Sequence, residues 1–135
     1  MGQLPLPIVN GDSQYYWDGA AQECLLLRRC GACGTTHFMP RLLCPVCWND
    51  KLDVVEASGR GKIHSFTVIR RASDPQFADF CPYVVALIDL EEGPRMMANI
   101  LGDDALEATI DAEVEVLFED RGEGAKFPQF RLSSR

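Results

Sequence analysis

No apolar run in this sequence reaches the roughly 18 residues a membrane-crossing helix needs. No basic residue precedes the short apolar stretch near the N-terminus, which argues against a secretory leader. There is no Gly-rich phosphate loop, no zinc-protease motif and no nucleophile elbow. Histidine is scarce, with two in 135 residues, and aromatics make up 9%. No internal repeat is visible. These absences exclude a helical membrane protein and leave no familiar catalytic signature. A 47% hydrophobic, 24% charged chain has an ordinary globular balance. The expectation is a cytoplasmic chain with one compact domain and a small satellite module.

Positive charge is also in short supply. The net charge is −7. Residues 1–62 carry six basic and six acidic side chains, whereas residues 63–135 carry seven and fourteen, so the whole excess lies in the second half. A phosphate backbone is repelled by such a surface, so nucleic acid is a poor partner.

Cysteine is abundant. Four of the six form Cys30-Gly-Ala-Cys33 and Cys44-Pro-Val-Cys47, with ten residues between the pairs; Cys24 and Cys81 stand apart. Zn²⁺ takes four ligands in a tetrahedron and favours thiolates, and each C-x-x-C turn offers two sulfurs to one side of an ion. The spacing predicts a zinc ribbon or rubredoxin-like site. Iron is the chemical alternative, and disulfides are the redox one. With four protein ligands no position stays open, so the metal is structural. Cys24 and Cys81 read as buried small apolar residues.

Asn10-Gly11-Asp12-Ser13 reads as a turn before a short helix, Gln14 to Glu23, whose aromatics Tyr15, Tyr16 and Trp17 must dock on something. The rest of the chain reads as β. Leu25 to Arg29 leads into the ribbon and Leu52 to Ala57 leaves it. Ser58-Gly59-Arg60-Gly61 is a junction. Strands follow at Lys62 to Arg71, Tyr83 to Leu90, Arg95 to Leu101, Glu113 to Glu119 and Phe127 to Leu132. The apolar run Tyr83 to Leu90 suits burial on both faces, and Pro128 marks an edge strand. One helical turn is expected within Gly102 to Ala112. The fold class is mainly β: an arm and helix over 1–24, a zinc ribbon over 25–57, and a five-stranded OB-fold barrel over 58–135.

Other candidate chemistry is thinner. His37 lies in the ribbon excursion, near the metal, as a surface group or one that supports a ligand. His64 with Ser65 or Cys81 has no local motif behind it. Arg28, Arg29, Arg41, Arg60, Arg70, Arg71 and Arg95 fall near the ribbon–barrel junction. They read either as a clamp for a phosphorylated molecule such as a coenzyme A or as scattered surface charges. Phe77 and Phe80 sit on the Asp74 to Pro82 loop, suited to an acyl pocket, a partner or simple packing.

The chain resembles the bacterial and archaeal family in which a rubredoxin-like zinc ribbon precedes an OB-fold and which accompanies acyl-CoA enzymes. The resemblance rests on Tyr15-Tyr16-Trp17-Asp18-Gly19, Arg29-Cys30-Gly31-Ala32-Cys33-Gly34 and Met39-Pro40-Arg41-Leu42-Leu43-Cys44-Pro45-Val46-Cys47. It continues through Gly59-Arg60-Gly61-Lys62-Ile63-His64-Ser65-Phe66-Thr67, the run Pro82 to Leu90, and Glu92-Gly93-Pro94-Arg95-Met96-Met97-Ala98-Asn99-Ile100. It implies a partner of a thiolase-like protein that is not catalytic alone and completes a site for a β-oxoacyl-CoA. The settings it implies include anaerobic aromatic degradation of a benzylsuccinate type. A steroid side-chain hydratase/aldolase complex is the alternative. The expected cofactor is zinc, or iron, through Cys30, Cys33, Cys44 and Cys47. The expected acyl-CoA or partner contacts are Tyr16, Trp17, Arg41, Arg70, Arg71, Phe77 and Phe80. Single-stranded nucleic acid binding is the rival that the OB-fold alone suggests.

Overall fold

The computed structural model describes residues 4–133, so residues 1–3 of the expected arm and the last two residues lie outside the description. Helix α1 spans Gln14–Ala21. Its entry is set by Asn10, whose Oδ1 accepts from the Ser13 backbone N–H (3.0 Å) and hydroxyl (2.9 Å). The helix ends two residues before the expected Glu23. Glu23 adopts a left-handed φ of 61°, and the Glu23 and Cys24 N–H groups close back onto Ala20 and Gly19 carbonyls.

The ribbon is a three-stranded antiparallel sheet ordered β2-β1-β3, with β1 Leu26–Cys30, β2 Thr36–His37 and β3 Leu52–Glu56. Five strands then close into a barrel: β4 Arg60–Ile69, β5 Tyr83–Leu90, β6 Arg95–Leu101, β7 Glu113–Gly122 and β8 Ala125–Leu132. The order around the barrel is β4-β5-β6-β8-β7, with β6 and β8 parallel and the other pairs antiparallel. This is the OB-type arrangement. The Asp74 to Pro82 loop contains a 3₁₀ turn, Pro75–Phe80, started by Asp74 Oδ1 accepting the Gln76 N–H at 2.9 Å. A second 3₁₀ turn, Ala105–Glu107, supplies the expected helical turn.

Two readings of the strands need correction. Strand β5 is not buried on both faces. Val84, Ala86, Ile88 and Leu90 are buried inside the barrel, while Tyr83, Val85, Leu87 and Asp89 are half-covered on the outside. Its outer face is apolar because a cleft lies over part of it. Strand β8 is not an edge either, since it pairs with both β6 and β7. Pro128 is tolerated because its register partner lies on β7 alone. The β6 pairing begins further on, at Ile100 opposite Phe130.

The core runs without a break from Tyr16, Leu25 and Leu27 into Ile63, Ile88, Ile100, Val114 and Phe130 of the barrel. Gly61 allows β4 and β5 to approach closely, because a Cβ there would sit 2.6 Å from the Asp89 carbonyl oxygen and 2.8 Å from Ile88 Cγ2. Gly61→Ala is therefore expected to destabilise the barrel by about 1–3 kcal/mol. A urea midpoint equal to that of the parent would contradict this close packing.

Candidate metal centre and apolar cleft

Each Cys pair is held in the same backbone turn. In the first, Gly34 N–H donates to the Cys30 carbonyl (2.9 Å); in the second, Trp48 N–H donates to the Cys44 carbonyl (3.0 Å). Backbone N–H groups also point at the sulfurs: Ala32 to Cys30 Sγ (3.3 Å) and Val46 to Cys44 Sγ (3.4 Å). The residue closing each turn is left-handed, Gly34 at φ 79° and Trp48 at φ 65°. Glycine accepts that conformation without cost; tryptophan does not.

The four sulfurs lie within 4.8 Å of one another, with Cys30–Cys47 and Cys33–Cys44 each at 3.6 Å. A disulfide would bring two sulfurs to about 2.05 Å. Tetrahedral zinc with Zn–S near 2.3 Å places them about 3.8 Å apart. The donor set therefore fits one zinc ion, and the distances do not describe disulfides. Cys30 and Cys44 are buried, whereas Cys33 and Cys47 face outward.

The surroundings of the sulfurs act in opposite directions on their thiolates. The Thr35 hydroxyl and backbone N–H favour the Cys33 thiolate and lower its pKa to about 6. The Cys30 thiol is lowered, chiefly by the Cys33 backbone N–H. At Cys47 the Asn49 backbone N–H favours the thiolate, but Cys30, burial, Cys33 and Cys44 outweigh it and push the thiol up to about 12. Four thiolates this close repel one another without a cation between them. Metal uptake at neutral pH is expected to expel protons, so apparent affinity should fall as pH falls. Competition with a chromophoric chelator across pH 6–8 measures it, and a flat profile would exclude thiolate ligation.

Against the other face of α1 lies an apolar cleft of about 710 Å³. One wall is Tyr16 and Trp17 of α1, a second is Phe38, Met39 and Pro40 of the ribbon, and the third is Tyr83, Val85, Met96 and Met97 of the barrel. Tyr16 packs edge-on to Phe38 at 5.5 Å, and Trp17 packs on Phe127 at 4.9 Å. The helix aromatics thus dock on this chain's own ribbon and barrel. The cleft floor is polar. Gln129 Oε1 accepts the Asn99 backbone N–H (2.7 Å), Asn99 Nδ2 donates to the Val84 carbonyl (3.0 Å), and Gln129 Nε2 reaches Glu119 (3.3 Å). Glu119 Oε1 also takes Arg121 Nη2 at 2.9 Å, while Arg121 Nη1 donates to the Pro5 carbonyl at 2.9 Å.

The sequence-predicted residues distribute unevenly. Tyr16, Trp17 and Phe77 line the cleft; Phe80 does not, and is 44% exposed. Arg41 borders a separate hollow of about 290 Å³ beside Leu42, Leu43 and Trp48. The arginines do not form one cluster. Arg60 opens β4 and Arg70 follows its last residue, Arg60 pairs with Glu91 (3.4 Å) and Arg95 with Asp89 (2.6 Å). Arg28 stacks 4.0 Å above the Tyr15 ring. Arg41, Arg70 and Arg71 form no ion pair among the described residues. His37 is buried rather than at the surface, with Nδ1 3.0 Å from the Met39 carbonyl oxygen. His64 faces Asp89 at 3.5 Å, and among the described residues neither Ser65 nor Cys81 bonds it. Arg95, then His64, hold the Asp89 carboxyl below its ordinary range. Cys24 and Cys81 are half-buried, not fully buried as expected; each sulfur lies 3.7 Å from a backbone carbonyl oxygen.

Sequence reasoning missed Arg121, Asn99 and Gln129. Arg121 lies past the expected strand end at Glu119, on the last residues of β7, and its side chain is 6% exposed. Nothing local in the sequence links residues 5, 99, 121 and 129.

Residues 17–53 match the rubredoxin-like zinc ribbon domain of ChsH2, and residues 54–119 match the ChsH2 C-terminal OB-fold domain. A probable enoyl-CoA hydratase alpha subunit of Thermomonospora curvata is 39% identical over 98 residues, 73% of this chain and 30% of that protein. The chain thus spans under a third of that relative. A DUF35 domain-containing scaffold protein of Methanothermobacter thermautotrophicus is 42% identical over 91 residues, covering 67% of this chain and 68% of the relative. Benzoylsuccinyl-CoA thiolase subunit BbsA of Thauera aromatica is 35% identical over 91 residues, 61% of this chain and 60% of that subunit. A chain of the solved Ltp2-ChsH2(DUF35) aldolase superposes with a TM-score of 0.82 at 33% identity, covering 93% of this chain and 98% of that one.

Proposed function

This chain belongs to the DUF35 family, in which a ChsH2-type zinc ribbon precedes a ChsH2-type OB-fold, and from that premise we propose that it is an accessory subunit of a thiolase-like enzyme acting on a β-oxoacyl-CoA. The observation that carries the reading is the likeness over 98% of a chain of the solved Ltp2-ChsH2(DUF35) aldolase. Identity to a benzoylsuccinyl-CoA thiolase subunit supports the thiolase, and an aromatic acyl group, as the specific case. Cys30, Cys33, Cys44 and Cys47 would hold a structural zinc, which would cross-link the two turns; with four thiolate ligands from this chain, the partner would provide nucleophile and acid–base groups.

The second reading, a hydratase/aldolase assembly on a steroid side chain, is supported by 32% identity to the 3-oxo-4,17-pregnadiene-20-carboxyl-CoA hydratase alpha subunit of Mycobacterium tuberculosis over 129 residues. The test is co-expression with a thiolase-like protein, purification by a tag on this chain, and assay of CoA-dependent β-oxoacyl-CoA cleavage. Co-elution with activity that neither chain has alone supports the thiolase reading. Separate elution with unchanged thiolase activity overturns it and moves the test to an aldolase.

The ribbon tip supports a protein partner. Met39, Leu42, Leu43, Val46 and Trp48 are 42–74% exposed within ten residues of chain. Trp48 keeps a left-handed backbone where the other turn has glycine, and local strain of this kind concentrates at functional positions. Trp48→Ala is expected to leave metal content unchanged and to weaken the partner by about 2 kcal/mol, near thirtyfold in Kd. Unchanged affinity in a titration of the two purified proteins would place the interface elsewhere.

A further inference from the structure

The cleft beside α1 has dimensions and chemistry that define its occupant. Its volume of about 710 Å³ lies inside the roughly 300–1,000 Å³ range of small-molecule sites. Arg121 is the single charged residue on its wall among the described residues, and Glu119 neutralises it from 2.9 Å. The Arg121 guanidinium also lies 4.0 Å over the Phe127 ring, so its flat face is covered. Among the described lining residues nothing complements a phosphate or a carboxylate, and burying such an anion here would go uncompensated.

The floor is instead suited to a carbonyl. Gln129 Oε1 accepts the Asn99 N–H, which fixes the orientation of the Gln129 amide. Asn99 Nδ2 donates to the Val84 carbonyl, which fixes the Asn99 amide in turn. An amide nitrogen has two protons, and Asn99 commits one of them to Val84. The second is free to donate to a ligand oxygen.

We propose that this cleft binds the uncharged acyl end of a thioester, an aromatic or aliphatic body between Trp17, Phe38 and Met97 with its carbonyl at Asn99, and leaves the anionic nucleotide of coenzyme A outside. The identification of the ligand as a thioester rests on the accessory-subunit reading above. The exclusion of anions and the preference for a neutral apolar group rest on the cleft alone.

Three of the four methionines, Met39, Met96 and Met97, line the cleft, so their methyl groups report its occupancy. The experiment uses the zinc-loaded full chain with ¹³C-labelled methionine methyls, without a partner. It is titrated with the N-acetylcysteamine thioester of phenylacetate, which is neutral, and separately with coenzyme A lacking an acyl group. The expected result is saturable shifts of the three cleft methyls with the thioester and none with coenzyme A. Met97 is 66% exposed, so Met97→Glu changes the cleft without disturbing the core. It should weaken thioester binding at least about tenfold while thermal unfolding stays unchanged. Equal binding by Met97→Glu, equal shifts with free coenzyme A, or no shifts at millimolar thioester would each overturn the proposal. A chain that joins a thiolase or aldolase but does not bind the small thioester defeats the cleft alone. One that binds the small thioester but joins no thiolase or aldolase defeats the accessory reading alone.

Discussion

Replacing Cys44 with serine is expected to abolish metal binding and to unfold the ribbon. Cys44 has no exposed surface, and its sulfur sits 3.6 Å from that of Cys33, so no water-exposed substitute ligand can enter. The ribbon sheet is small, with strands of five, two and five residues. A module of that size depends on its metal: apparent binding free energies of structural zinc in comparable peptides run about 10–16 kcal/mol at neutral pH. The loss is expected to exceed what β1 and β3 can supply by packing. Elemental analysis should fall from one zinc per chain to near none. Hydrogen exchange at the amides of β1 and β3 should rise toward unprotected rates. A Cys44→Ser protein that keeps stoichiometric metal and full protection would mean that the four sulfurs are not a ligand set.

The second large effect is at the barrel seam. Phe130→Ala should cost about 3–5 kcal/mol, the range for truncating a fully buried aromatic. Phe130 is completely buried, opposite Ile100 on β6 and Val116 on β7, so it packs where the parallel and antiparallel pairings meet. Its loss opens a cavity in the core that also holds Ile100, Val114 and Ile63. Phe130→Leu keeps most of the volume and should lose less than half as much. The difference between the two urea midpoints measures the packing term. Equal, small shifts for both would show that the seam is not held by this side chain.

The four-cysteine centre was legible because its pattern is local: two short turns and a fixed interval carry all the chemistry. Barrel strands were legible for a similar reason, through runs of β-branched and apolar residues such as Val84 to Leu90 and the alternation of Val114, Val116 and Phe118. What failed was long-range. The outer face of β5 read as buried because Tyr83 and Val85 are apolar, but they face a cleft built with residues from the ribbon and from α1. Pro128 read as an edge because no sequence rule shows that β6 meets β8 only from Phe130 onward. Arg121 lies beyond the expected strand end at Glu119, and its burial depends on Glu119, Phe127 and Pro5 together. Two aromatics of one loop, Phe77 and Phe80, could not be separated without the 3₁₀ turn that sends only Phe77 to the cleft.

Helix α1 touches both halves, the ribbon through Tyr16 on Phe38 and the barrel through Trp17 on Phe127, and Glu23 just beyond it holds Lys126 at 2.6 Å. Because the apolar interior continues across this helix, neither half can melt without exposing surface of the other. Calorimetry of the metal-loaded chain should therefore record one endotherm, with calorimetric and van't Hoff enthalpies in agreement. The ribbon is then no detachable handle but part of a single cooperative unit, and removing zinc at its tip should lower the melting temperature of the barrel as well.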